Sequence, residues 1–333
     1  MKVGMIGSGM IANVFLNTFQ SKSNLEVTGI WCMENTLEMT KELADKYHVD
    51  LVETDIDAFL KSELFDVAYI ALINSVHYEY ARKALLAGKH VIVEKPFTTT
   101  YEQAKELASI AKEKNLMLFD CAMSKYSENI EALKKAVQEI GEIKIINFAY
   151  SQYSRRYDAY LEGKVLPVFS RELAGGALYD LNVYCLSLID EIFGEPEEYK
   201  YYPNIGYNGI DVSGVMVMDY GSYKAVSYTA KDCDGFRGGY IQGSKGYIRI
   251  DGMPANLQNM FLVMNGQSEK KIDVVKHDDP REYMFRKIDE IVEEKDYKRA
   301  AVLIEKPLET MKIMECARKE AGIYFPSDPE YAE

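Results

Sequence analysis

Residues 2–12 read KVGMIGSGMIA, and this stretch decides the fold of the first part of the chain. Lys2–Ile6 is a short apolar run that predicts a buried β-strand. The six residues that follow, GSGMIA, match the pattern G-x-G-x-x-G/A. An amphipathic helix is expected from about Met10 to Phe19, because apolar residues recur on one side of it: Ile11, Val14, Phe15 and Phe19.

A strand, a glycine turn and a helix in direct succession predict a dinucleotide-binding turn. Gly7 permits the tight turn, Gly9 lets the backbone approach a pyrophosphate, and Ala12 allows the helix to pack closely on the strand. The N–H groups of the first helical turn, including those of Met10 and Ile11, would face the phosphates together with the positive end of the helix dipole. The alternative is a plain turn without a ligand.

The tip of the second strand bears on the choice of cofactor. This strand is expected over Leu25–Cys32, and its tip reads Cys32-Met33-Glu34-Asn35. The group at this position normally contacts the adenosine ribose, and Glu34 would accept hydrogen bonds from the ribose hydroxyls. No Arg or Lys stands there to pair a 2′-phosphate, so NAD is slightly favoured over NADP. The alternative is that Glu34 only begins the exposed face of the next helix.

Two further apolar runs predict parallel strands that end at the same ligand-binding edge. HVIV at 90–93 is followed by Glu94-Lys95-Pro96, and VAYIAL at 67–72 is followed by Asn74 and then His77. In an open parallel sheet, ligands bind beyond the carboxyl ends of the strands. Asn74, Glu94 and Lys95 are therefore candidate cofactor contacts. Lys95 has the alternative of a surface lysine, and His77 that of a structural hydrogen-bonding histidine.

The pattern of elements divides the chain near residue 120. Six strands with intervening helices predict a doubly wound parallel sheet over residues 1–120, which would form a dinucleotide-binding domain. Residues 121–333 are rich in β-runs joined by tight turns, which predicts an α+β domain with one large, mostly antiparallel open sheet. A helix is expected over Ala174–Ile192, and closing helices over Arg281–Lys295 and Pro307–Ala321.

Composition excludes several classes of function. The net charge of −13 and the lack of a basic run argue against binding to nucleic acid or anionic membranes. No apolar run approaches the length of a bilayer span, and MKVGMIGSG is a strand and turn, not a signal peptide. The five cysteines and four histidines are dispersed, which predicts no metal site and fits reduced thiols in a cytoplasmic protein.

Four stretches together resemble one family. GSGMIA at 7–12, YIALINSVHYEYARKALLAGKHVIVEKPF at 69–97, LAGGALYDLNVYCL at 173–186 and GSKGYIRI at 243–250 are similar to the Gfo/Idh/MocA oxidoreductases, named after glucose–fructose oxidoreductase, inositol dehydrogenase and rhizopine catabolism. The likeness spans nearly the whole chain. It implies an NAD(P)-dependent enzyme that transfers hydride between nicotinamide and a hydroxyl or carbonyl carbon of a sugar, cyclitol or related cyclic diol.

The resemblance also implies roles for individual residues. The lysine of E-K-P lies beside the nicotinamide and the reacting carbon in the family, which implies this role for Lys95. The family pattern G-G-x-x-x-D-x-G-x-H/Y matches Gly175, Gly176, Asp180 and Tyr184, and its last position is the usual acid/base. A tyrosine there resembles the branch that contains glucose–fructose oxidoreductase, dimeric dihydrodiol dehydrogenase and NADP-dependent xylose dehydrogenase.

Three departures from the family pattern bear on substrate and cofactor. Asn182 replaces the usual glycine, and Lys125 stands where relatives often have arginine. NADP-using relatives often carry Ser-Arg after the second strand, where this chain has Cys32-Met33. The segment 154–170, which corresponds to the substrate loop, contains no motif that identifies a substrate.

The chemistry of the candidate residues agrees with alcohol oxidation. A free tyrosine titrates near pH 10, and an adjacent ammonium favours the phenolate, so Lys95 and Tyr184 would form a catalytic pair if the two domains meet at the cleft. Asp180 and Tyr184 are four positions apart, which places both on one face of a helix, and Asp180 would orient a substrate hydroxyl. The alternative for Tyr184 is a core tyrosine. The candidate substrate contacts are Lys95, Lys125, Asp180 and Tyr184.

Two other functions stay open on the same scaffold. One is a non-catalytic NAD(P)-binding regulator, which would not need to retain Lys95, Asp180 and Tyr184. The other is a hydrolase or lyase that uses tightly bound NAD for transient oxidation. In each case the partner is a small molecule. A homodimer or a higher homo-oligomer is expected through the uncovered face of the second sheet, because a large exposed apolar face usually marks an interface.

Overall fold

The structure is a computed structural model that describes residues 1–18, 25–277 and 279–331. The chain divides into two units. The first comprises Met1–Cys121 and Arg281–Leu308, and the second comprises Ala122–Pro280 and Glu309–Glu333.

A six-stranded sheet forms the centre of the first unit. Its strands are β1 (Lys2–Ile6), β2 (Glu26–Trp31), β3 (Leu51–Glu53), β4 (Val67–Ile70), β5 (His90–Val93) and β6 (Leu118–Asp120). They lie in the order β3-β2-β1-β4-β5-β6, and every pair is parallel. The prediction of a doubly wound parallel sheet is confirmed. The strand order reverses between β1 and β4, which is where open α/β sheets bind their ligands.

Five helices connect these strands: α1 (Met10–Thr18), α2 (Leu37–Tyr47), α3 (Ile56–Lys61), α4 (His77–Leu86) and α5 (Tyr101–Glu113). Phe19, the last residue of the expected first helix, lies outside the described residues. Asp55 caps α3 by accepting from the N–H groups of Asp57 and Ala58. A 3-10 turn over Asn74–Val76 leads into α4.

A returning segment of the chain completes the core of the first unit. Helix α9 (Pro280–Glu293) brings Phe285 against Phe15, with ring centroids 4.7 Å apart in an edge-to-face arrangement. The N-terminal ammonium of Met1 lies 3.0 Å from a carboxylate oxygen of Asp289. No local sequence pattern predicts this return, because it depends on contacts between residues that are far apart in the chain.

An eight-stranded sheet dominates the second unit. Its strands are β7 (Ile143–Ser151), β8 (Glu198–Ile205), β9 (Asp211–Asp219), β10 (Lys224–Ala230), β11 (Arg237–Gly243), β12 (Gly246–Asp251), β13 (Met260–Met264) and β14 (Lys270–Lys271). The order is β14-β13-β12-β11-β7-β10-β9-β8, and only the pair β7–β10 is parallel. The large, mostly antiparallel sheet is therefore confirmed. β8 was not predicted, because it is an edge strand with charged residues and Pro203, which only an edge tolerates.

The helices of this unit are α6 (Ile130–Glu139), α7 (Tyr157–Leu161), α8 (Val183–Phe193) and the end of α10 (Tyr297–Glu320). The predicted helix over Ala174–Ile192 starts later than expected, because Ala174 and Gly176 have left-handed φ angles of 55° and 96°. A π-helical turn over Leu178–Asn182 then leads into α8. The predicted start of the last helix at Pro307 is also wrong. The helix begins at Tyr297 and Pro307 lies inside it.

Candidate active site

The turn between β1 and α1 provides an open helix N-terminus. Gly7 has a φ of +114°, and a Cβ on it would lie 2.6 Å from the carbonyl oxygen of Ala71 on the neighbouring chain segment. Gly9 is exposed, and no heavy atom lies within 4 Å of the position its Cβ would take. Met10 follows as the first helical residue and is 58% exposed. The turn thus leaves room for a ligand beside the first N–H groups of α1, which fits a pyrophosphate.

The tip of β2 places a carboxylate in solvent. Glu34 begins a 3-10 turn over Glu34–Thr36 and is exposed. Its Oε1 accepts a hydrogen bond of 2.7 Å from the Thr54 hydroxyl. Thr54 is itself fixed, because its carbonyl oxygen accepts from the Trp31 indole at 2.8 Å. The Glu34 carboxylate is therefore held at the strand tip.

The carboxyl ends of three strands lie side by side in the first unit. Ile6 pairs with Ile70, and Ile70 pairs with Val93. The segments that follow these residues, which contain Gly7, Asn74 and Lys95, therefore leave the sheet from one edge. Asn74 and Lys95 are both half-buried.

Glu94 and His77 anchor the segment that contains Lys95. Glu94 is 9% exposed, and its carboxylate accepts from the Tyr69 hydroxyl at 2.6 Å and from the Lys95 N–H at 3.2 Å. His77 is fully buried, with Nδ1 2.8 Å from the Pro96 carbonyl oxygen and Nε2 3.1 Å from that of Leu72. Burial lowers the pKa of His77. Through these contacts, the side chains of Glu94 and His77 hold the backbone around Lys95 in place.

In the second unit, a buried carboxylate fixes the entry to the helix of Asp180 and Tyr184. Asp211 accepts hydrogen bonds from the Leu178 N–H and the Tyr201 hydroxyl, both at 2.7 Å. Burial raises the pKa of Asp211 to about 6. Any Cβ at Gly176 would collide with this carboxylate. The second glycine of the pair is thus required both by its φ of 96° and by the space that Asp211 occupies.

Asp180 is paired with a lysine that lies 51 residues further along the chain. The Lys231 ammonium lies 2.5 Å from Asp180 Oδ2, and the side chains are 2% and 25% exposed, respectively. The π-helical turn that contains Asp180 widens the helix where α8 begins. Such turns are frequent at functional sites.

Tyr184 and Lys125 belong to two elements that pack against each other. Tyr184 is half-buried in the first turn of α8, and its ring centroid lies 5.9 Å from that of Tyr150. Lys125 belongs to a 3-10 turn over Met123–Tyr126 that packs against α8, and its ammonium lies 5.2 Å from the Tyr126 ring centroid. Lys95 belongs to the first unit and Tyr184 to the second. Their pairing stays a prediction.

Sequence reasoning missed two residues of this site, Asp211 and Lys231. Asp211 begins β9 and gives no local signal. Lys231 stands directly after the apolar strand β10, a position comparable to that of Lys95 after β5. A charged residue at such a strand end was the available signal.

Comparison with known proteins gives the family. Residues 1–120 match the oxidoreductase family described as having an NAD-binding Rossmann fold, and residues 134–322 match its C-terminal α/β domain. The chain belongs to the Gfo/Idh/MocA family. Like that family, it is an NAD(P)-dependent oxidoreductase.

Relatives within the Gfo/Idh/MocA family cover nearly the whole chain. The scyllo-inositol 2-dehydrogenase (NADP(+)) of Bacillus subtilis is 30% identical over 98% of this chain and 99% of its own length. The trans-1,2-dihydrobenzene-1,2-diol dehydrogenase of Mus musculus is 25% identical over 98% of each chain. The crystal structure of a 3-ketoreductase from Actinomadura kijaniata with NADP and TDP-benzene has a TM-score of 0.83 at 22% identity, covering 96% of this chain and 97% of that one, and shows the same fold.

Across residues 1–18, 25–277 and 279–331, no helix is both long and apolar enough to span a membrane. In the same ranges, no three His, Cys, Asp or Glu side chains are grouped as ligands of a metal ion.

Proposed function

We propose that this protein is a dehydrogenase or reductase of a CH–OH carbon on a sugar-like or cyclitol ring, with Tyr184 as acid/base and Asp180 as a substrate ligand. The observation that carries the proposal is the arrangement in the second unit. The partly exposed Asp180 carboxylate is held by the buried Lys231, and the half-buried Tyr184 phenol stands four positions after Asp180. The names of the relatives from Bacillus subtilis and Mus musculus both specify hydroxylated six-membered rings, which supports this substrate class.

The first unit would hold the cofactor. The open N-terminus of α1, with Gly7, Gly9, Met10 and Ile11, fits the pyrophosphate, and bound NAD(P) supplies the hydride acceptor or donor. Asn74, Glu94, Lys95 and His77 follow the strands next to β1. For Glu94 and His77, the hydrogen bonds to Tyr69, Pro96 and Leu72 support a positioning role behind Lys95.

For the cofactor phosphate we propose a preference for NAD. The exposed Glu34 carboxylate, held by Thr54, would repel a 2′-phosphate and accept from ribose hydroxyls. The Bacillus subtilis relative is named for NADP(+), so the choice needs a direct test. Calorimetric titration with both cofactors should give tighter binding of NAD than of NADP. Glu34→Gln should reduce the ratio between the two dissociation constants. Tighter NADP binding to the wild type would reverse the preference.

The role of Tyr184 is tested with a variant that removes only its hydroxyl. Tyr184→Phe should lower kcat by about 10²–10⁴-fold, because the proton-transferring group is lost, while nucleotide affinity stays unchanged. Tyr150→Phe is a matched control: its ring is the neighbour of Tyr184, and its hydroxyl donates to Gln152 at 3.2 Å. Activity is measured by NAD(P)H absorbance with a panel of cyclitols, sugars and cyclic diols. Wild-type kcat in Tyr184→Phe from pH 6 to 10 would remove Tyr184 from the chemistry.

Lys95 is tested in the same way. Lys95→Ala should lower both turnover and the precision with which the nicotinamide is placed, since it removes a charge and a positioning group together. A variant with unchanged kcat/KM would leave Lys95 without a catalytic role.

We propose further that residues 1–120 form the dinucleotide-binding domain and that residues 121–333 provide substrate binding and self-association. One face of the second sheet supports the latter. Tyr202, Val215 and Tyr228 are adjacent on neighbouring strands and are 56%, 39% and 36% exposed. Apolar side chains in such a row favour an interface. Light scattering should show at least a dimer at micromolar concentration, and Val215→Glu should shift it toward monomer.

A cytoplasmic location is part of the same proposal. Within the residues that the structure describes, no cysteine forms a disulfide bond and three cysteines are buried, which suits a reducing compartment. Cell fractionation of a producing strain is the test, and recovery in an extracellular or periplasmic fraction would contradict the proposal.

A further inference from the structure

Lys231 is a buried cation whose partner is a proposed substrate ligand. Its side chain is 2% exposed, and its ammonium lies 2.5 Å from Asp180 Oδ2. Removing an ammonium from water costs several kcal/mol unless a close opposite charge compensates it. Here the compensating carboxylate is not itself buried, since Asp180 is 25% exposed. The pair thus reaches from the interior of the second unit to its surface.

The chain holds Lys231 at several points, and two of them involve the segment 154–170. The Lys231 N–H donates to the Val212 carbonyl at 2.9 Å, and its carbonyl accepts from the Ser154 N–H at 2.9 Å. The ammonium also lies 5.0 Å from the ring centroid of Phe169, which is fully buried. Phe169 stacks on Tyr160, with centroids 4.9 Å apart. Both ends of the segment 154–170 therefore contact the residue that holds Asp180.

Lys231 also acts on a second carboxylate. Burial raises the pKa of Asp211, and hydrogen bonds together with the charge of Lys231 act in the opposite direction. Loss of the ammonium would leave Asp180 and Asp211 without this shared cation. Asp180 and Asp211 interact with the charge of Lys231. Asp232 interacts in turn with Tyr201, which donates to Asp211, and with Tyr157.

We propose that Lys231 is a positioning residue for substrate recognition: its buried ammonium fixes the Asp180 carboxylate as an ionised acceptor for substrate hydroxyl groups and connects it to the segment 154–170. The inference rests on the proposed function, because it assumes that Asp180 binds substrate. A carboxylate held at one oxygen by a buried cation accepts hydrogen bonds in a defined direction, which suits a polyhydroxylated ring. Lys231 itself does not need to touch the substrate.

The first test removes the charge and follows catalysis. Lys231→Met should lower kcat/KM by about 10- to 100-fold, mainly through KM, because a charge-assisted contact of the substrate loses its geometry. In an Asp180→Asn background the same change should alter kcat/KM by less than about threefold, since the two residues act as one unit. Wild-type kinetics in Lys231→Met would overturn the proposal. So would an equal loss in both backgrounds.

A matched control separates this effect from the general loss of an ion pair. Lys134 lies 2.7 Å from Glu191 on α8, with side chains 35% and 15% exposed. Lys134→Met removes a lysine that pairs with a carboxylate of α8, at a position away from Asp180. It should leave kcat/KM and KM at wild-type values. A loss equal to that in Lys231→Met would point to a structural effect on α8 and overturn the proposal.

A second measurement does not depend on turnover. In protein labelled with ¹³C at the aspartate carboxyl carbons, the Asp180 signal is assigned by its disappearance in Asp180→Asn. The signal should titrate at higher pH in Lys231→Met than in the wild type, and an unchanged titration would overturn the proposal. If the wild type turns over no polyol, the proposed function fails while this measurement still decides the role of Lys231. If Lys231→Met does not fold, Lys231→Gln replaces it in both tests.

Discussion

Substitutions at the two glycines of the β1–α1 turn should separate folding from nucleotide binding. Gly7 combines a φ of +114° with a Cβ position 2.6 Å from the Ala71 carbonyl oxygen. That oxygen cannot easily move, because the N–H of the same residue, Ala71, donates to the Ile6 carbonyl at 3.0 Å and so holds Ala71 against β1. Gly9 has neither a left-handed φ nor a heavy atom within 4 Å of its Cβ position. The structure thus gives a separate physical reason for each glycine.

The expected magnitudes follow from these distances. Gly7→Ala incurs about 1–2 kcal/mol for the left-handed backbone, and the contact with Ala71 adds a comparable amount. A total of about 2–4 kcal/mol corresponds to a Tm lowered by about 4–15 °C. Gly9→Ser places a good helix-capping residue before α1, so its stability should change by less than about 0.5 kcal/mol. Its side chain stands where a pyrophosphate would approach, and affinity for NAD should fall at least about tenfold.

The assay combines thermal melting without nucleotide and calorimetric titration with NAD and NADP. Gly88→Ala is a control within the first unit, because Gly88 has a φ of +85° but nothing within 4 Å of its Cβ position. It should show the backbone cost alone, about half the loss of Gly7→Ala. A Gly7→Ala variant that melts with the wild type, or a Gly9→Ser variant that keeps wild-type affinity, would refute this reasoning.

Three other predictions concern stability. Burial raises the pKa of Asp211 from 3.8 to about 6, so the folded state binds more protons between these values, and stability should rise by about 2 kcal/mol as pH falls from 7 to 4. Urea titrations at each pH should show that this contribution to stability is absent from Asp211→Asn. A pH profile of stability equal to that of the wild type would contradict the prediction. Asn182 is fully buried, and among the residues that the structure describes neither of its side-chain polar atoms has a hydrogen-bond partner. Asn182→Ala should therefore change stability by less than about 1 kcal/mol, whereas Leu188→Ala on α8 should lose about 2–5 kcal/mol. Equal losses of stability in the two variants would contradict this prediction. Arg318→Met removes one cation from the buried Asp328 carboxylate, which keeps the Lys319 ammonium at 3.3 Å, and should therefore lose about 1.5–3 kcal/mol. A melting temperature close to that of the wild type would show that the Arg318–Asp328 pair is dispensable.

The sequence by itself determined the two sheets, the glycine turn and most elements near the site. VAYIAL and HVIV are continuous apolar runs because both faces of a parallel sheet are covered, and Val67, Ile70, Val91 and Val93 are all fully buried. The cap at Asp55 depends only on neighbouring residues. Asp180 and Tyr184 could be proposed as site residues because the family pattern is local as well. Such features are encoded by periodicity and spacing, which a single sequence displays.

Tertiary structure alone decided how the candidate residues are held. Lys231 meets Asp180 across 51 residues, Asp211 meets the Leu178 N–H across 33, and His77 meets the Pro96 carbonyl across 19. Ala174 and Gly176 adopt left-handed backbones that delay the helix of Asp180, although the sequence there has an amphipathic pattern. The physical reason is that periodicity reports which face of an element is buried. It does not report which distant side chain lies opposite that face, because strand order and register are set by the packing of the whole unit.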